Sequence, residues 1–313
     1  MATAVFGSPI KKVFGEQVSL TTTAAHLLYQ PTYHEAKLYC PTAWRMGIAP
    51  KISGVKVGVV AGTFTDYTAQ AIDRVATTHV PLDAMATTSY LYLGTTEPTR
   101  GFYFNVDGSN KNDEAATLDW EYCYDISDGT YLKLTGTVSG ALTVGETVTG
   151  QTSGATAVVV QSNAANIIVK SMAGSFALLE DVDGAAETCD DVSAIDKVAR
   201  GTAFWTDVAS DSDGTDVAGD TLKQDGLYTF TLPAVVNGFV TNLGTGHWYR
   251  FAPSAALSAT VDLVDIIPAC DTVNYAFMEA GVEYQFALNV AQNGAFEFDH
   301  VGSDTLNVTW IQH

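Results

Sequence analysis

Basic residues are scarce in this chain, in which 15 Lys and Arg face 35 Asp and Glu over 313 residues, a formal net charge of −20 at pH 7. A surface this acidic repels nucleic-acid phosphates, and no basic stripe offsets it. We therefore expect no nucleic-acid partner. The acidity fits a protein that stays soluble at high local copy number or docks onto a basic partner.

Long apolar runs are also missing: no stretch of eighteen apolar residues occurs, so we expect no membrane-spanning helix and no membrane partner. The opening MATAVFGSPIKKVFGEQ has no basic segment ahead of an apolar core, and we do not expect a Sec signal. Lys, Arg and Leu are sparse, whereas Thr, Val, Gly, Ala and Asp dominate. That balance favours strands and turns over helices and predicts an all-β protein.

Cysteine is rare, and the four cysteines are far apart with no spacing that would form a zinc site. We expect buried free thiols, as in a protein made in a reducing cytoplasm; a Cys40–Cys270 or a Cys123–Cys189 bridge is the alternative. The histidines show no metal-binding spacing, and no G-x-S-x-G motif occurs. We assign no catalytic residue and no cofactor, and we expect a protein that is not an enzyme.

Glycines are frequent in one stretch, VSGALTVGETVTGQTSGATAVVV at 138–160, but the Lys-Ser/Thr pair of a phosphate-binding loop is missing there. Instead, residues 140–150 align without gaps on residues 174–184. Both copies place apolar residues at every second position between glycines, which is typical of strands and turns. We predict a small, internally duplicated β-barrel over 131–195; two copies are too few for a stable solenoid.

Alternating apolar residues predict strands elsewhere in the chain, among them EAKLYC, GVKVGVV, SYLYLG, GFYFNVDG, GLYTFTLP and HWYRFAPS. Three C-terminal strands are predicted in VEYQFALNV, GAFEFDHVG and TLNVTWIQH, joined by hairpin turns at AQNG and GSD. One short helix is predicted in YTAQAIDRVATTHVPLDAM. Residues 1–30 show little periodicity and are expected to form an N-terminal arm or an edge segment.

The acidic loop DVASDSDGTDVAGD at 207–220 is the strongest candidate for metal chemistry. With Gly214 as the sixth residue of an EF-hand-style loop, three of its aspartates occupy ligand positions. Ala209 removes the first carboxylate and no flanking helices are evident, so a solvated acidic turn is the competing interpretation. The calcium hypothesis assigns as weak ligands Asp211, Asp213, Asp216 and Asp220.

The five tryptophans admit two interpretations, a sugar-stacking platform or core packing. Each lies in an alternating strand pattern, where a large side chain most often fills the core of a sandwich. We therefore predict core positions for Trp44, Trp120, Trp205, Trp248 and Trp310.

The order of YLYLG, EPTRGFYFNVD, ATLDWEYC, FWTDV, DGT, TLKQDGLYTFTLP, HWYRF and SAALSATVDLVDI resembles a family of tailed-phage virion structural proteins. In that family a β-sandwich carries a GxxF strand, a veYWdG…W hairpin, a DGT…l…dG…ftlP stretch and a YWvR strand. The resemblance covers about 83–268, with YHEAKLYCPTAWRMGIAPKI as a candidate extension. Here the glycine-rich module separates Tyr122 from Trp205, so we predict a domain inserted at the hairpin tip; the module is similar to small β-modules inserted in phage capsid and tail proteins.

Together these patterns predict a discontinuous, antiparallel, jelly-roll-like β-sandwich over 31–130 and 196–313, carrying the inserted barrel at 131–195. The resemblance implies a non-enzymatic structural component of the virion. We expect a capsid decoration (cement) protein that binds the major capsid protein or other virion proteins. We expect it to be a homo-oligomer, for which a trimer is one candidate arrangement. The alternative is a tail, neck or fibre component that binds a host glycan.

Overall fold

The regular secondary structure of the described residues is almost wholly antiparallel β. The computed structural model describes residues 12–20, 25–29, 33–59, 64–73, 77–123, 131–140, 142–198, 205–208, 211–231, 239–240, 242–270, 275–288, 294–300 and 302–312. The predicted helix is reduced, within these ranges, to one 3-10 turn at Gln70–Ile72. No helix among the described residues is long and apolar enough to cross a membrane. The all-β prediction is confirmed.

Contacts divide the chain into two compact units, which are described separately. Unit 1 comprises residues 1–121, 207–234 and 246–313, and unit 2 comprises residues 122–206 and 235–245. The sequence predicted an inserted module over 131–195. The division between the units falls at 121/122 and 206/207, outside the predicted boundaries on both sides.

Two sheets of unit 1 are built from both ends of the described chain. Sheet A contains, in spatial order, β1 (Lys12–Leu20), β27 (Asp304–Gln312), β3 (Glu35–Tyr39) and β25 (Glu283–Ala287). Sheet B contains β2 (Ala25–Tyr29), β26 (Gly294–Asp299), β4 (Trp44–Ile48) and β24 (Ala276–Met278). One apolar core joins the two sheets into a sandwich, with buried members Leu20, Ala36, Leu38, Cys40, Trp44, Met46, Met278, Phe296, Phe298, Leu306, Val308 and Trp310.

The described part of the N-terminal segment, 12–20 and 25–29, is paired within the chain. β1 runs antiparallel to β27 along its whole length, and β2 pairs with β26, so both are edge strands of unit 1. The predicted C-terminal hairpins are wrong: β25 and β27 lie in sheet A, whereas β26 between them lies in sheet B. Alternating apolar residues show which face of a strand is buried, but a hairpin and a connection that crosses between sheets satisfy that pattern equally.

A second pair of sheets, which lies in unit 1 apart from most of β17 and the end of β10, packs through aromatic side chains. Sheet C contains β17 (Trp205–Asp207), β10 (Leu118–Cys123), β22 (His247–Pro253), β8 (Ser89–Thr95), β5 (Ile52–Val59) and β6 (Thr65–Asp66). Sheet D contains β18 (Ser212–Asp213), β19 (Gly226–Thr229), β9 (Gly101–Val106), β23 (Asp262–Pro268) and β7 (Val80–Pro81). Phe102 of sheet D stacks on Trp120 of sheet C at 5.5 Å, and Phe104 meets Phe251 edge-on at 6.1 Å. The described strands thus form two sandwiches where the sequence predicted one.

A buried carboxylate connects sheet B to sheet D. Glu297 of β26 is 1% exposed, and it accepts hydrogen bonds from the Cys270 N–H (2.6 Å), the Arg100 Nη2 (2.9 Å) and the Tyr275 hydroxyl (2.6 Å). Arg100 also donates from Nε to the Cys270 carbonyl at 2.6 Å. Burial opposes the charge of Arg100, but Glu297 outweighs that effect and raises the pKa of the guanidinium. The two groups therefore form a buried ion pair with every carboxylate oxygen bonded.

Unit 2 contains the closed six-stranded barrel that the sequence predicted. Its strands, in order around the barrel, are β11 (Leu132–Val138), β14 (Asn166–Ala173), β13 (Thr156–Asn163), β12 (Thr147–Gly150), β15 (Val182–Asp183) and β16 (Thr188–Lys197). The unit also contains the paired strands β20 (Phe239–Val240) and β21 (Gly244–Thr245). The chain leaves sheet C at β10 and returns at β17, the neighbouring strand, which is the geometry of an insertion at a hairpin tip.

The two sequence copies in the barrel have equivalent structures. Their first glycines, Gly140 and Gly174, have φ of 88° and 87°, a backbone region that favours glycine. Val148 and Val182, at equivalent positions, are both fully buried in the barrel core. The internal duplication is therefore a property of the fold as well as of the sequence.

One glutamate in each copy fastens the two copies together. Glu146 accepts the N–H three residues before it at 2.6 Å and the N–H of Ala185, beyond the second copy, at 3.1 Å. Glu180 likewise accepts the N–H three residues before it at 2.5 Å and the N–H of Ser153, beyond the first copy, at 2.8 Å. Each carboxylate thus closes its own turn and holds the loop that follows the other copy.

The glycine that ends each copy makes room for the glutamate of the other. A Cβ at Gly150 would lie 2.7 Å from Oε2 of Glu180, and a Cβ at Gly184 would lie 2.9 Å from Oε1 of Glu146. These distances are shorter than carbon–oxygen contacts allow. Gly150 and Gly184 therefore serve the architecture of the barrel.

We predict that replacing one member of the buried ion pair destabilises unit 1. Glu297→Gln leaves the Arg100 charge buried without a counter-charge, which costs about 3–5 kcal/mol in comparable cases. Chemical denaturation followed by tryptophan fluorescence measures the loss. Glu283→Gln is the control, because Glu283 pairs with Lys37 at the surface and its loss should leave the midpoint unchanged. Equal effects of the two variants would contradict the prediction.

A second prediction concerns the pH dependence of the barrel. Burial opposes the charge of Glu180. Four hydrogen bonds to its carboxylate outweigh burial, so the pKa of Glu180 lies below the ordinary 4.5. The donors are the Ala177 N–H, the Ser153 N–H and hydroxyl, and the Thr152 N–H. A lowered folded-state pKa contributes stability that is present above pH 4.5 and lost as pH falls through the lowered value. Glu180→Gln should therefore be destabilised at neutral pH by about 1–3 kcal/mol and lose less stability on acidification.

Thermal unfolding measured between about pH 7 and pH 3 tests this prediction. Glu187→Gln, which also changes a glutamate of the barrel, is the matched control for the loss of one carboxylate. If Glu180→Gln showed the full wild-type pH dependence, Glu180 would not be the responsible group.

Candidate functional site

The acidic loop identified in the sequence borders a cavity at one end of sheets C and D. The cavity has a volume of about 400 Å³ and is lined by Thr117, Leu118, Asp211, Asp213, Asp216 and Tyr228. β18 pairs antiparallel with β19, which places Asp213 opposite Tyr228. Three of the four candidate calcium ligands are therefore brought to one cavity, and Asp220 is not among its lining residues.

Asp213 holds the loop together through both of its oxygens. Oδ1 accepts the Thr215 N–H at 2.7 Å and the Thr215 hydroxyl at 2.6 Å, and Oδ2 accepts the Thr221 hydroxyl at 2.5 Å. Both threonines are fully buried, and the Thr215 hydroxyl oxygen in turn accepts the Leu222 N–H at 2.9 Å. The protein itself thus supplies donors to the carboxylate that the EF-hand comparison places at the fifth position.

Asp211 is bonded to the phenol that forms the cavity wall. The Tyr228 hydroxyl donates to Oδ2 of Asp211 and lies 3.2 Å from the Leu118 carbonyl. Burial, and secondly the bond to Asp211, raise the pKa of the Tyr228 phenol, so this group stays protonated and acts as a donor. The cavity accordingly presents carboxylate oxygens beside a neutral phenol.

The remaining two aspartates have separate roles. Asp216 accepts the Gly219 N–H at 3.3 Å inside its own turn. Asp220 lies 3.2 Å from the Lys223 ammonium, which also contacts Asp113. Asp220 is therefore engaged in an ion pair outside the cavity.

The geometry differs from that of an EF-hand loop. Gly214, expected at the sixth position, forms part of the pairing with β19: its N–H donates to the Leu227 carbonyl at 3.1 Å, and a Cβ would lie 2.6 Å from that oxygen. Ala209, expected at the first position, is outside the described residues. Within the described ranges, no group of three or more His, Cys, Asp or Glu side chains is arranged to hold a metal ion. The calcium ligands stay a hypothesis of the sequence, and the hydrogen bonds to Asp213 favour the competing interpretation, an acidic turn.

The sequence did not single out Thr117 and Tyr228 as cavity residues. Tyr228 lies in the alternating run GLYTFTLP, a pattern that indicates a strand and a buried face but not the neighbour across the sheet. Thr117 precedes β10, in a segment about a hundred residues away in sequence. A hydroxyl-rich acidic cavity formed by such distant segments leaves no local signal.

Elsewhere, the hydroxyl of Thr42 contacts a histidine and a carboxylate. The hydrogen bonds of this group run in the opposite direction to those that activate a nucleophile. The Thr42 hydroxyl donates to Asp304, so the His300 ring must donate from Nε2 to the Thr42 oxygen, at 2.8 Å. Nδ1 of His300 accepts the Gly302 N–H at 2.9 Å, which fixes that tautomer. The bond from Thr42 lowers the pKa of Asp304. The histidine therefore has no free lone pair with which to remove the Thr42 proton.

The cysteines and tryptophans occupy structural positions. All four cysteines are buried and free, so neither of the two bridges considered is formed. Four of the tryptophans are core residues, with exposures of 3% or less: Trp44, Trp120, Trp248 and Trp310. Trp205 is half-buried. Burial also raises the pKa of the Cys189 thiol to about 11, which leaves it unreactive at neutral pH.

Comparison of the chain with protein-family models, with curated proteins and with solved structures gives no match.

We predict that calcium leaves the stability of the protein unchanged, because the carboxylate oxygens of Asp213 already accept three protein hydrogen bonds. Thermal melts in millimolar calcium and in chelator should coincide. An upward shift in calcium that disappears in Asp211→Asn would contradict this expectation and establish a cation site. Asp113→Asn, which alters an acidic residue outside the cavity, is the matched control.

Proposed function

We propose that the protein is a non-enzymatic structural component of a tailed-phage particle, and within that class a capsid decoration protein. The observation that carries the proposal is where the resembling motifs lie in the fold. Six of these motifs lie in strands: β8 contains YLYLG, β9 contains GFYFNV, β10 contains LDWEYC, β19 contains GLYT, β22 contains HWYRF and β23 contains DLVDI. Together they make the central strands of sheets C and D.

The position of the barrel gives further support. The family that the sequence resembles has a tight hairpin at the position of the insert. In this chain the path leaves sheet C after β10 and returns to it at β17. The sandwich can therefore keep its strand pairing while the insert adds a second compact unit. Such a module gives a virion protein additional surface without altering the part that resembles the family.

Binding through many weak contacts is the mechanism that this architecture favours. Sheets provide extended surfaces and edges, and repetition of subunits on a capsid lattice converts modest single contacts into strong attachment. The net charge of −20 would keep free copies soluble and would direct them to a basic partner surface. In this proposal the partner is the major capsid protein or another virion protein, and the protein itself is a homo-oligomer.

The tryptophan positions favour decoration over the alternative of a tail or fibre protein that binds a host glycan. Stacking on a sugar requires an exposed aromatic face, whereas four of the five tryptophans are packed in the cores of the two sandwiches. A glycan site would have to use other residues.

The copy number per particle tests the proposal. Purified virions are analysed by quantitative mass spectrometry with the major capsid protein as the internal standard. We expect hundreds of copies, because decoration follows the capsid lattice. A count between about three and a few dozen would instead place the protein in the neck, baseplate or fibre. Absence from the particles would refute the virion assignment.

A further inference from the structure

The two sandwiches protect their sheet edges in different ways. Within the described residues, sheets C and D end in strands of only two or three residues: β17, β6, β18 and β7. Very short edge strands prevent pairing with another chain. Sheet A instead ends in β1, which has nine residues. The same chain therefore shields one sandwich and leaves a long edge on the other.

Among the described residues, the outer edge of β1 has no paired strand. All nine of its residues pair with β27, and none of the strands described pairs with its other side. Val13 is 58% exposed and Phe14 is 46% exposed, on opposite faces of the strand. Phe14 shares its face with Val18 and the buried Leu20. A strand added here would extend sheet A and cover apolar side chains on both faces.

β1 carries one charge of each sign, Lys12 at its first residue and Glu16 at its centre, and the central charge bears on which strand can be added along the full length. Glu16 lies at the centre of β1; its side chain is exposed and accepts the Trp310 Nε1–H at 3.1 Å. Two copies of β1 paired antiparallel along their full length would place Glu16 directly opposite Glu16, and like charges in that position destabilise a sheet. Each copy also has a net charge of −20. A second copy of this chain is therefore a poor occupant.

We propose that β1 is a docking edge for an extended, basic strand of a different protein, which adds to sheet A by β-augmentation. The inference rests on the proposed function only in that it names the surface through which the virion partner is bound. Backbone hydrogen bonds provide the attachment, and a basic residue opposite Glu16 provides the selectivity.

The probe is a capped synthetic peptide, TKVKVKVKT, added to the full-length protein. Two peptides serve as controls: TEVEVEVET reverses the charge, and TKPKVKPKT keeps the charge but cannot pair as a strand. Hydrogen exchange measured by mass spectrometry locates the contact, and fluorescence anisotropy measures its affinity. We expect slower exchange in Lys12–Leu20 with the first peptide alone, and no change in Glu283–Ala287.

A matched pair of variants tests the role of charge. Glu16→Gln should weaken binding of the basic peptide by about two- to five-fold, the effect of one cross-strand charge pair. Glu283→Gln removes one negative charge from the opposite edge of the same sheet and should leave the affinity at the wild-type value.

Three outcomes would overturn the inference. Equal binding of the proline peptide would show attraction by charge without strand pairing. Equal effects of the two variants would remove Glu16 from recognition, and concentration-dependent dimers with β1 protected in the absence of peptide would make a second copy the occupant. The peptide result and the copy number in virions are independent, so failure of one proposal is distinguishable from failure of the other.

Discussion

The buried carboxylate of Glu297 is the constraint on which the arrangement of unit 1 depends. An ionised group at 1% exposure is tolerated only when its oxygens are bonded, and here the donors come from Arg100, Cys270 and Tyr275. Arg100 and Cys270 adjoin the ends of β9 and β23 in sheet D, whereas Glu297 belongs to sheet B. The carboxylate therefore requires the two sandwiches to meet at this place. Gly47 permits the approach, because a Cβ there would lie 2.6 Å from the Cys270 sulfur.

Local chemistry made the strands and the barrel predictable from sequence, whereas the pairing of distant strands was not. β3 alternates buried Ala36 and Leu38 with more exposed neighbours, and that pattern is legible in EAKLYC. The barrel was predictable because its two copies repeat glycines and a glutamate at fixed spacing. The partners of β1 are different: Lys12 pairs with Gln312 at the other end of the chain. Alternation specifies a buried face but carries no information about a partner three hundred residues away.

At the candidate site, the sequence pointed to the loop that borders the cavity but not to the hydrogen bonds that each aspartate makes. Asp213 was considered as a calcium ligand because of its spacing from Gly214. In the structure its oxygens accept hydrogen bonds from the hydroxyls of Thr215 and Thr221, two fully buried residues. Hydroxyl groups that donate hydrogen bonds stabilise the oxygens of a carboxylate in place of a bound cation. Spacing alone cannot distinguish the two, because both require an acidic residue in a tight turn.

The distribution of edges and charge follows one physical logic throughout the described chain. Closure of the barrel leaves it without an edge, and the strands that end sheets C and D are too short to pair. β1 is the long exception, and a long open edge on an uncharged protein would invite pairing between copies. The net charge of −20, with Glu16 at the centre of the strand, disfavours that pairing while leaving the backbone groups available. The central glutamate and the net charge of −20 therefore disfavour full-length pairing between copies, which is the physical basis for proposing a basic strand as the partner.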